Sequence, residues 1–272
     1  VWGQNVDSST FTNNRIDDTF ADGITLANDS QGNLLSNNAA HATGDDSFAL
    51  FNAQDVHAGI NQNNTYQNLT AILTWRAAGI AVYGGANNTF KNIYTADQLT
   101  YPGVTISSIN FGISFIGFSG TTTFDSITVN RSGGHFWGNE QIFPAFWLYS
   151  GDGAFTGIRV SNVDIDDPTY NGVGFQEKYT SGPTPTNPIQ DTTLTNVTVT
   201  RANTPRADKS NVDGTAASYN LANRDGAAVW CNAMPEPGQG PAVGAVTFTN
   251  LVMANNSFDI INNCPNFTIT RN

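Results

Sequence analysis

The sequence predicts an all-β chain wound as a parallel β-helix, a solenoid of short strands. Three observations carry this. Two short apolar units alternate along the chain; the step between them is nearly constant; and β-branched and aromatic residues alternate with polar ones inside each unit. No stretch has the 3.6-residue spacing of an amphipathic helix. A β-sandwich is the competing all-β arrangement, but it calls for hairpin turns between successive strands. Here equivalent residues recur one coil later.

The first unit reads aromatic or Leu, any residue, Asn or small, apolar, any, apolar or small. It occurs as Tyr66-Gln67-Asn68-Leu69-Thr70-Ala71 and Phe90-Lys91-Asn92-Ile93-Tyr94-Thr95, and again from Phe124, Phe155, Leu194 and Phe248, with weaker copies from Phe11, Leu35 and Phe267. The second unit, Gly or Ser followed by apolar, any, apolar, begins at Gly23, Ser47, Gly79, Gly103, Gly172 and Gly226. From Phe11 to Gly23 and from Leu35 to Ser47 is 12 residues; from Tyr66 to Gly79 and from Phe90 to Gly103 it is 13. Coils of this kind stack about 4.8 Å apart and bury their alternate apolar residues in one continuous core. The Asn of the first unit suits a left-handed turn residue that bonds its equivalents in adjacent coils. The regular pattern runs to about Ser107, and insertions interrupt it at residues 131–143, 176–190 and 202–224. Long loops projecting from a repeat commonly form functional walls. The whole of residues 1–272 reads as one solenoid domain.

The chain carries 11 Lys plus Arg against 22 Asp plus Glu, a formal charge of −11, yet charged residues amount to only 12%. Its 17 Phe, 8 Tyr and 5 Trp exclude a disordered acidic tail. No basic stripe exists to neutralise phosphates, so nucleic acid is not the expected partner. No apolar run approaches the roughly 20 residues of a membrane-spanning helix. Surface polarity falls to 34 Asn together with Thr, Ser and Gly, uncharged groups suited to a neutral ligand. This Lys-poor, Asn- and Thr-rich composition has the look of a secreted protein. Cys231 and Cys264 are either two buried thiols or one disulfide, and secretion favours the bridge.

Asp22 stands immediately before Gly23 and Asp46 immediately before Ser47, equivalent positions 24 residues apart. Stacked coils place them one strand spacing apart, and Asp45 adjoins Asp46 at the same turn. No Lys or Arg occupies the neighbouring turn positions, so three like charges converge and at least one carboxyl pKa should rise. Such a group matches glycosidic hydrolysis, where one carboxylic acid donates a proton to the leaving oxygen and a carboxylate activates water or attacks. Acidic turn residues that cap strands, or ligands of a cation such as calcium, are the alternative reading.

The segments ADGI at 21–24, GDDSFALF at 44–51 and GIAVYGG at 79–85 resemble glycoside hydrolase family 87, which contains α-1,3-glucanases and mycodextranases. The likeness continues through GVTISS at 103–108, TTTFDSITV at 121–129 and NGVGFQEK at 171–178. The resemblance implies a right-handed parallel β-helix and an inverting mechanism on three aspartates, which fall on Asp22, Asp45 and Asp46. By similarity to related β-helix hydrolases, Asp45 is the expected general acid, with Asp22 and Asp46 holding the nucleophilic water. The expected function is a secreted endo-α-1,3-glucanase. A mycodextranase-like hydrolase of mixed α-1,3/α-1,4 glucan and a non-catalytic glycan-binding β-helix are the alternatives. No organic cofactor is implied; a structural calcium is compatible with the sequence, but no twelve-residue loop identifies one. Family members carry a longer catalytic unit, so an upstream segment or second chain is expected to cover the N-terminal end of the solenoid, whose strand edges would otherwise stay open.

Candidate sugar-binding residues follow from position and type. Trp75 and Arg76 precede Gly79 by four and three residues, which sets them one coil beyond the aspartates, as glucan ligands or as turn packing. His41, four residues before Asp45, either orients a carboxylate or bonds its own turn. The first insertion offers His135, Trp137 and Glu140, whereas Phe136, Phe143 and Phe146 read as core or loop packing. Gln176, Glu177 and Lys178 leave the strand after Phe175, where polar groups line a subsite.

Overall fold

The computed structural model describes residues 1–98, 100–135, 142–179, 187–202, 226–232 and 239–272. Among them there are strands and turns and no helix. Two large sheets dominate. The front sheet has ten strands, with Trp2–Gln4, Ile24–Ala27, Phe48–Phe51, Ile80–Tyr83, Val104–Ser107, Phe146–Ser150, Val173–Lys178, Ala227–Cys231 and Phe258–Asn262 side by side in chain order. All of these neighbours are parallel; the tenth, Gln239–Pro241, runs antiparallel to Val173–Lys178. The back sheet has eleven strands, with a parallel series from Thr10–Thr12 through Thr65–Ile72, Thr89–Ala96 and Thr122–Asn130 to Phe267–Arg271. The chain thus alternates between sheets, each pass adding one parallel strand to both.

Alternation decides which side chains face inward. Ile24, Leu26, Phe48, Leu50, Ile80, Val82, Val104 and Ile106 enter one core cluster with Tyr66, Phe90 and Phe124 of the back sheet. The rings of Tyr66, Phe90 and Phe124 stack at centroid distances of 4.7 and 4.9 Å, the spacing of adjacent strands. Identical residue types in register thereby make an aromatic column at no cost in strand geometry.

The Asn of the first unit has the anticipated role. Asn37, Asn68, Asn92, Asn162, Asn196 and Asn250 all have φ between 52° and 57°, where Asn is among the few side chains accepted readily. Their amides form a ladder: Asn68 donates to Asn37 at 2.9 Å, Asn92 to Asn68 at 2.6 Å, and Asn250 to Asn196 at 2.9 Å.

Four sequence expectations need correction. The copy starting at Phe155 is out of register: Val160, not Phe155, aligns with Phe124 and Leu194, because Asn162 supplies the left-handed residue the ladder requires. Phe267 pairs with Gly244 and not with Phe248. Val173 lies beside Val229, two residues beyond the Ala227 that the unit pattern aligns with it; a two-residue shift keeps the inward parity. Finally, Gln176, Glu177 and Lys178 continue a strand instead of leaving it. Phe146–Ser150, just past the 131–143 insertion, is a full front-sheet strand. The loop at 202–224 lies almost wholly outside the described residues. Cys231 and Cys264 form a disulfide.

Candidate active site

Strand register places the acids. Gly23 N–H donates to the Asp46 carbonyl at 3.0 Å and Ile24 N–H to that of Ser47 at 3.1 Å, which seats Asp22 over Asp46. The glycines flanking these acids are required by close approach. A Cβ at Gly23 would lie 2.4 Å from the Ser47 carbonyl oxygen, and one at Gly44 would lie 2.5 Å from that of Phe20. One ligating oxygen from each of Asp22, Asp45 and Asp46 lies within 4.8 Å of the other two.

The three carboxyls differ in surroundings. Asp46 is 6% exposed; its Oδ1 accepts the Ala78 N–H at 2.9 Å and its Oδ2 the Tyr83 hydroxyl at 3.0 Å. Burial, then the charges of Asp22 and Asp45, push its pKa well above the usual carboxylate value, against the pull of those two donors. Asp22 is raised too, first by burial and further by Asp45, while the Thr25 hydroxyl, donating at 2.5 Å, opposes the rise. Asp45 is the outer member, its side chain 44% exposed. Its Oδ1 accepts the Asp46 N–H at 3.1 Å.

Arg76 corrects the expectation that no cation neighbours the group. Its Nη2 lies 3.3 Å from Asp45 Oδ2, and its guanidinium also donates to the carbonyls of Gly44 and Phe20 at 3.0 and 3.2 Å. It covers the Trp75 ring, 5.5 Å from the centroid, and Trp75 meets Phe20 edge-on at 6.2 Å. Arg76 therefore belongs to the acidic site, and Trp75 to the turn that holds it. Three carboxylates this close suit a divalent cation in principle. Here, however, the Asp46 oxygens are committed to an amide and a phenol, and Asp45 faces a guanidinium. Calcium takes six to eight oxygen ligands, water among them, so these carboxylates would need other oxygens beside them to hold it.

Outward parity of the front strands builds a cavity of about 540 Å³ beside the acids. Thr25, Ala49, Ala81 and Thr105 fall in one outward row, and their small side chains leave a trench. Trp147 continues that row and is the first large side chain in it after Thr25. Phe51, Tyr83, Ser107 and Tyr149 form the next row. Tyr101, Phe111 and Phe143 complete the aromatic wall, and Trp2 lines the side of the first strand. Phe143 is buried and packs with Trp147 and Tyr149, as the sequence suggested, and it also lines the cavity, stacked on Tyr101 at 4.4 Å. Tyr83, Trp147 and Tyr149 carry a signal the sequence reading did not use: they sit at outward positions of recognised or recognisable strands.

The remaining candidates separate. His41 ends the back-sheet strand Ala39–His41 and its Nδ1 is 3.7 Å from Asp17, so the carboxylate it faces is not Asp45. Gln176 is buried and accepts the Trp147 indole N–H at 2.7 Å, acting on the cavity through that ring. Glu177 is buried and accepts backbone N–H groups of Val243 and Asn187 at 3.0 and 3.3 Å. Burial lifts its pKa to about 7, against those two donors. Lys178 pairs with Asp152 at 2.9 Å. Glu177 and Lys178 thus tie loops together. His135 lies in the short strand Gly134–His135, paired with Ile142–Phe143; Trp137 and Glu140 lie outside the described residues.

Solved structures share this architecture. A catalytic domain of a glycoside hydrolase family 87 α-1,3-glucanase, an aspartate-to-alanine variant in complex with tetrasaccharides, is 41% identical, covers 99% of this chain and 46% of its own, and superposes with a TM-score of 0.86. Another, in complex with nigerose, is 40% identical over 99% of this chain and 45% of its own, with a TM-score of 0.84. The catalytic unit of a thermostable enzyme from Streptomyces thermodiastaticus is 23% identical, covers 99% of this chain and 44% of its own, and has a TM-score of 0.77, a likeness of fold. The chain therefore spans less than half the length of these solved catalytic domains. No curated protein matches it. The family described as alpha-1,3-glucanase catalytic domain D2 matches residues 1–272, the entire sequence, and the chain belongs to that family.

Proposed function

We propose that this chain forms the hydrolytic part of a secreted endo-α-1,3-glucanase, built on a right-handed parallel β-helix and acting with inversion at the anomeric carbon. The observation that carries the reading is the convergence of Asp22, Asp45 and Asp46 within 4.8 Å beside an aromatic-walled cavity. In three solved relatives, single aspartates replaced by alanine follow one another at steps of 23 and 1, the steps from Asp22 to Asp45 and Asp45 to Asp46.

The roles are those the family resemblance implies: ionised Asp46 and Asp22, stacked one strand apart, hold a water and take its proton. Asp45, outermost and most exposed, protonates the glycosidic oxygen as the bond to C1 breaks and the water oxygen bonds C1 from the opposite face. The acids are closer than the roughly 6.5–9.5 Å usual for a two-carboxylate inverting pair and nearer the roughly 5–5.5 Å of retaining enzymes. Inversion is the mechanism the family resemblance implies, with a water shared by the stacked pair Asp22 and Asp46 as the nucleophile. The net charge of −11 disfavours a polyanionic substrate and favours neutral glucan. An upstream segment covering the N-terminal strand edges belongs to the same reading.

The test is release of reducing sugar from insoluble α-1,3-glucan by the full protein and by its Asp45→Asn variant. Activity in the first and its loss in the second support the reading. An inactive parent protein refutes the glucanase, and full turnover by the variant refutes the assignment of the acid.

A further inference from the structure

Phe111 is an anomaly that the chemistry above does not use. Its φ is +50°, a left-handed backbone that is uncommon and strained for a bulky residue. Its side chain is nonetheless 56% exposed, so core burial does not offset the strain. The ring stands edge-on to Tyr83 at 5.0 Å and to Phe51 at 5.8 Å, with interplanar angles of 85° and 82°, and it lines the cavity beside the aspartates.

The loop that carries it is fixed on both flanks. Before it, the Asn110 N–H donates to Asp152 Oδ2 at 2.9 Å, and Asp152 is held by Lys178. The Asn110 side chain accepts the Gly112 N–H at 2.8 Å. After it, Ser114 accepts the Gln54 N–H at 2.8 Å, Phe115 bridges Ala53 and stacks on Phe51, and Ile116 accepts the Asn52 amide at 2.8 Å. The loop holds a strained, exposed aromatic ring against an aromatic-walled cavity.

We infer that Phe111 forms a glucosyl-binding position of the cavity by stacking on the apolar C–H face of a sugar ring. This rests on the α-glucanase reading of the neighbouring aspartates and adds to it the residue that determines binding of the sugar beside them. Phe111 takes no part in proton transfer, so binding and chemistry can be measured apart.

The experiment uses the full protein carrying Asp45→Asn, so that ligand is not consumed, and titrates it with an α-1,3-linked glucose tetrasaccharide by calorimetry. Phe111→Gly removes the ring and relieves the backbone, so the thermal midpoint should hold or rise while affinity drops about tenfold, which corresponds to 1.4 kcal/mol. Phe111→Trp, which keeps an aromatic face, should retain most of the affinity. Parental affinity in Phe111→Gly overturns the inference. The Asp45-intact protein, assayed in parallel for hydrolysis of α-1,3-glucan, separates that failure from failure of the glucanase reading.

Discussion

Replacing Tyr83 by Phe is the sharpest probe of how the buried acid is tuned. The substitution deletes one hydroxyl, the donor 3.0 Å from Asp46 Oδ2, and keeps the ring that packs against Phe51 and Phe111. Asp46 is 6% exposed, so solvent does not readily replace the lost donor. A hydrogen bond to a charged group contributes about 1.5–3 kcal/mol, and this one favours the ionised form. Burial and the charges of Asp22 and Asp45 already push the Asp46 pKa up; without Tyr83 only the Ala78 N–H opposes them, and the pKa rises further. If ionised Asp46 takes the proton from the attacking water, the acid limb of kcat/KM against pH moves to higher pH in Tyr83→Phe. At a fixed pH on that limb, about 1.4 kcal/mol of lost stabilisation is a tenfold loss of rate. The assay is the pH profile of reducing-sugar release for both proteins, with the plateau at higher pH largely recovered in the variant. An unmoved acid limb, or one displaced to lower pH, refutes the proposed role of Asp46.

Two further outcomes follow. Asp46→Asn removes a carboxyl whose folded pKa is raised above 3.8. Ionising such a group costs stability as pH climbs past its unfolded value, so thermal scans at neutral pH should show a more stable and inactive protein. Glu177, raised from 4.5 to about 7, makes the folded state bind more protons than the unfolded one between those values. Stability should therefore fall as pH rises from about 4.5 to about 7, and Glu177→Gln should flatten that slope in denaturant titrations, because its amide does not titrate.

The parts of the molecule that were legible in the sequence are those governed by register. Repetition at a fixed step aligned Gly23 with Ser47 and so placed Asp22 over Asp46, because a parallel ladder transmits spacing directly into height. The Asn ladder was legible for the same reason. Register also explains the errors. At Phe155 an aromatic residue mimicked the start of a unit, while the left-handed turn of the ladder, set by Asn162, lies seven residues further on. Lys178 looked like a loop residue because Gln239–Pro241 prolongs its strand by antiparallel pairing, which no local pattern records. Most of the cavity was illegible. Its wall combines outward positions of one sheet, such as Tyr83 and Trp147, with loop residues such as Tyr101 and Phe111, brought together only when the coils stack. Arg76 was placed on the correct side, but its contact with Asp45 depends on the turn conformation fixed by the carbonyls of Gly44 and Phe20.

The stereochemistry of the first-formed product tests the central claim most directly. Proton NMR of α-1,3-glucan oligosaccharides, recorded in the first minutes after adding the full protein, resolves the anomeric signal before mutarotation scrambles it. A water held by Asp22 and Asp46 and a proton delivered by Asp45 predict the β-anomer as the initial product. Initial appearance of the α-anomer would mean that one of these carboxylates bonds C1, and would contradict the proposed division of roles.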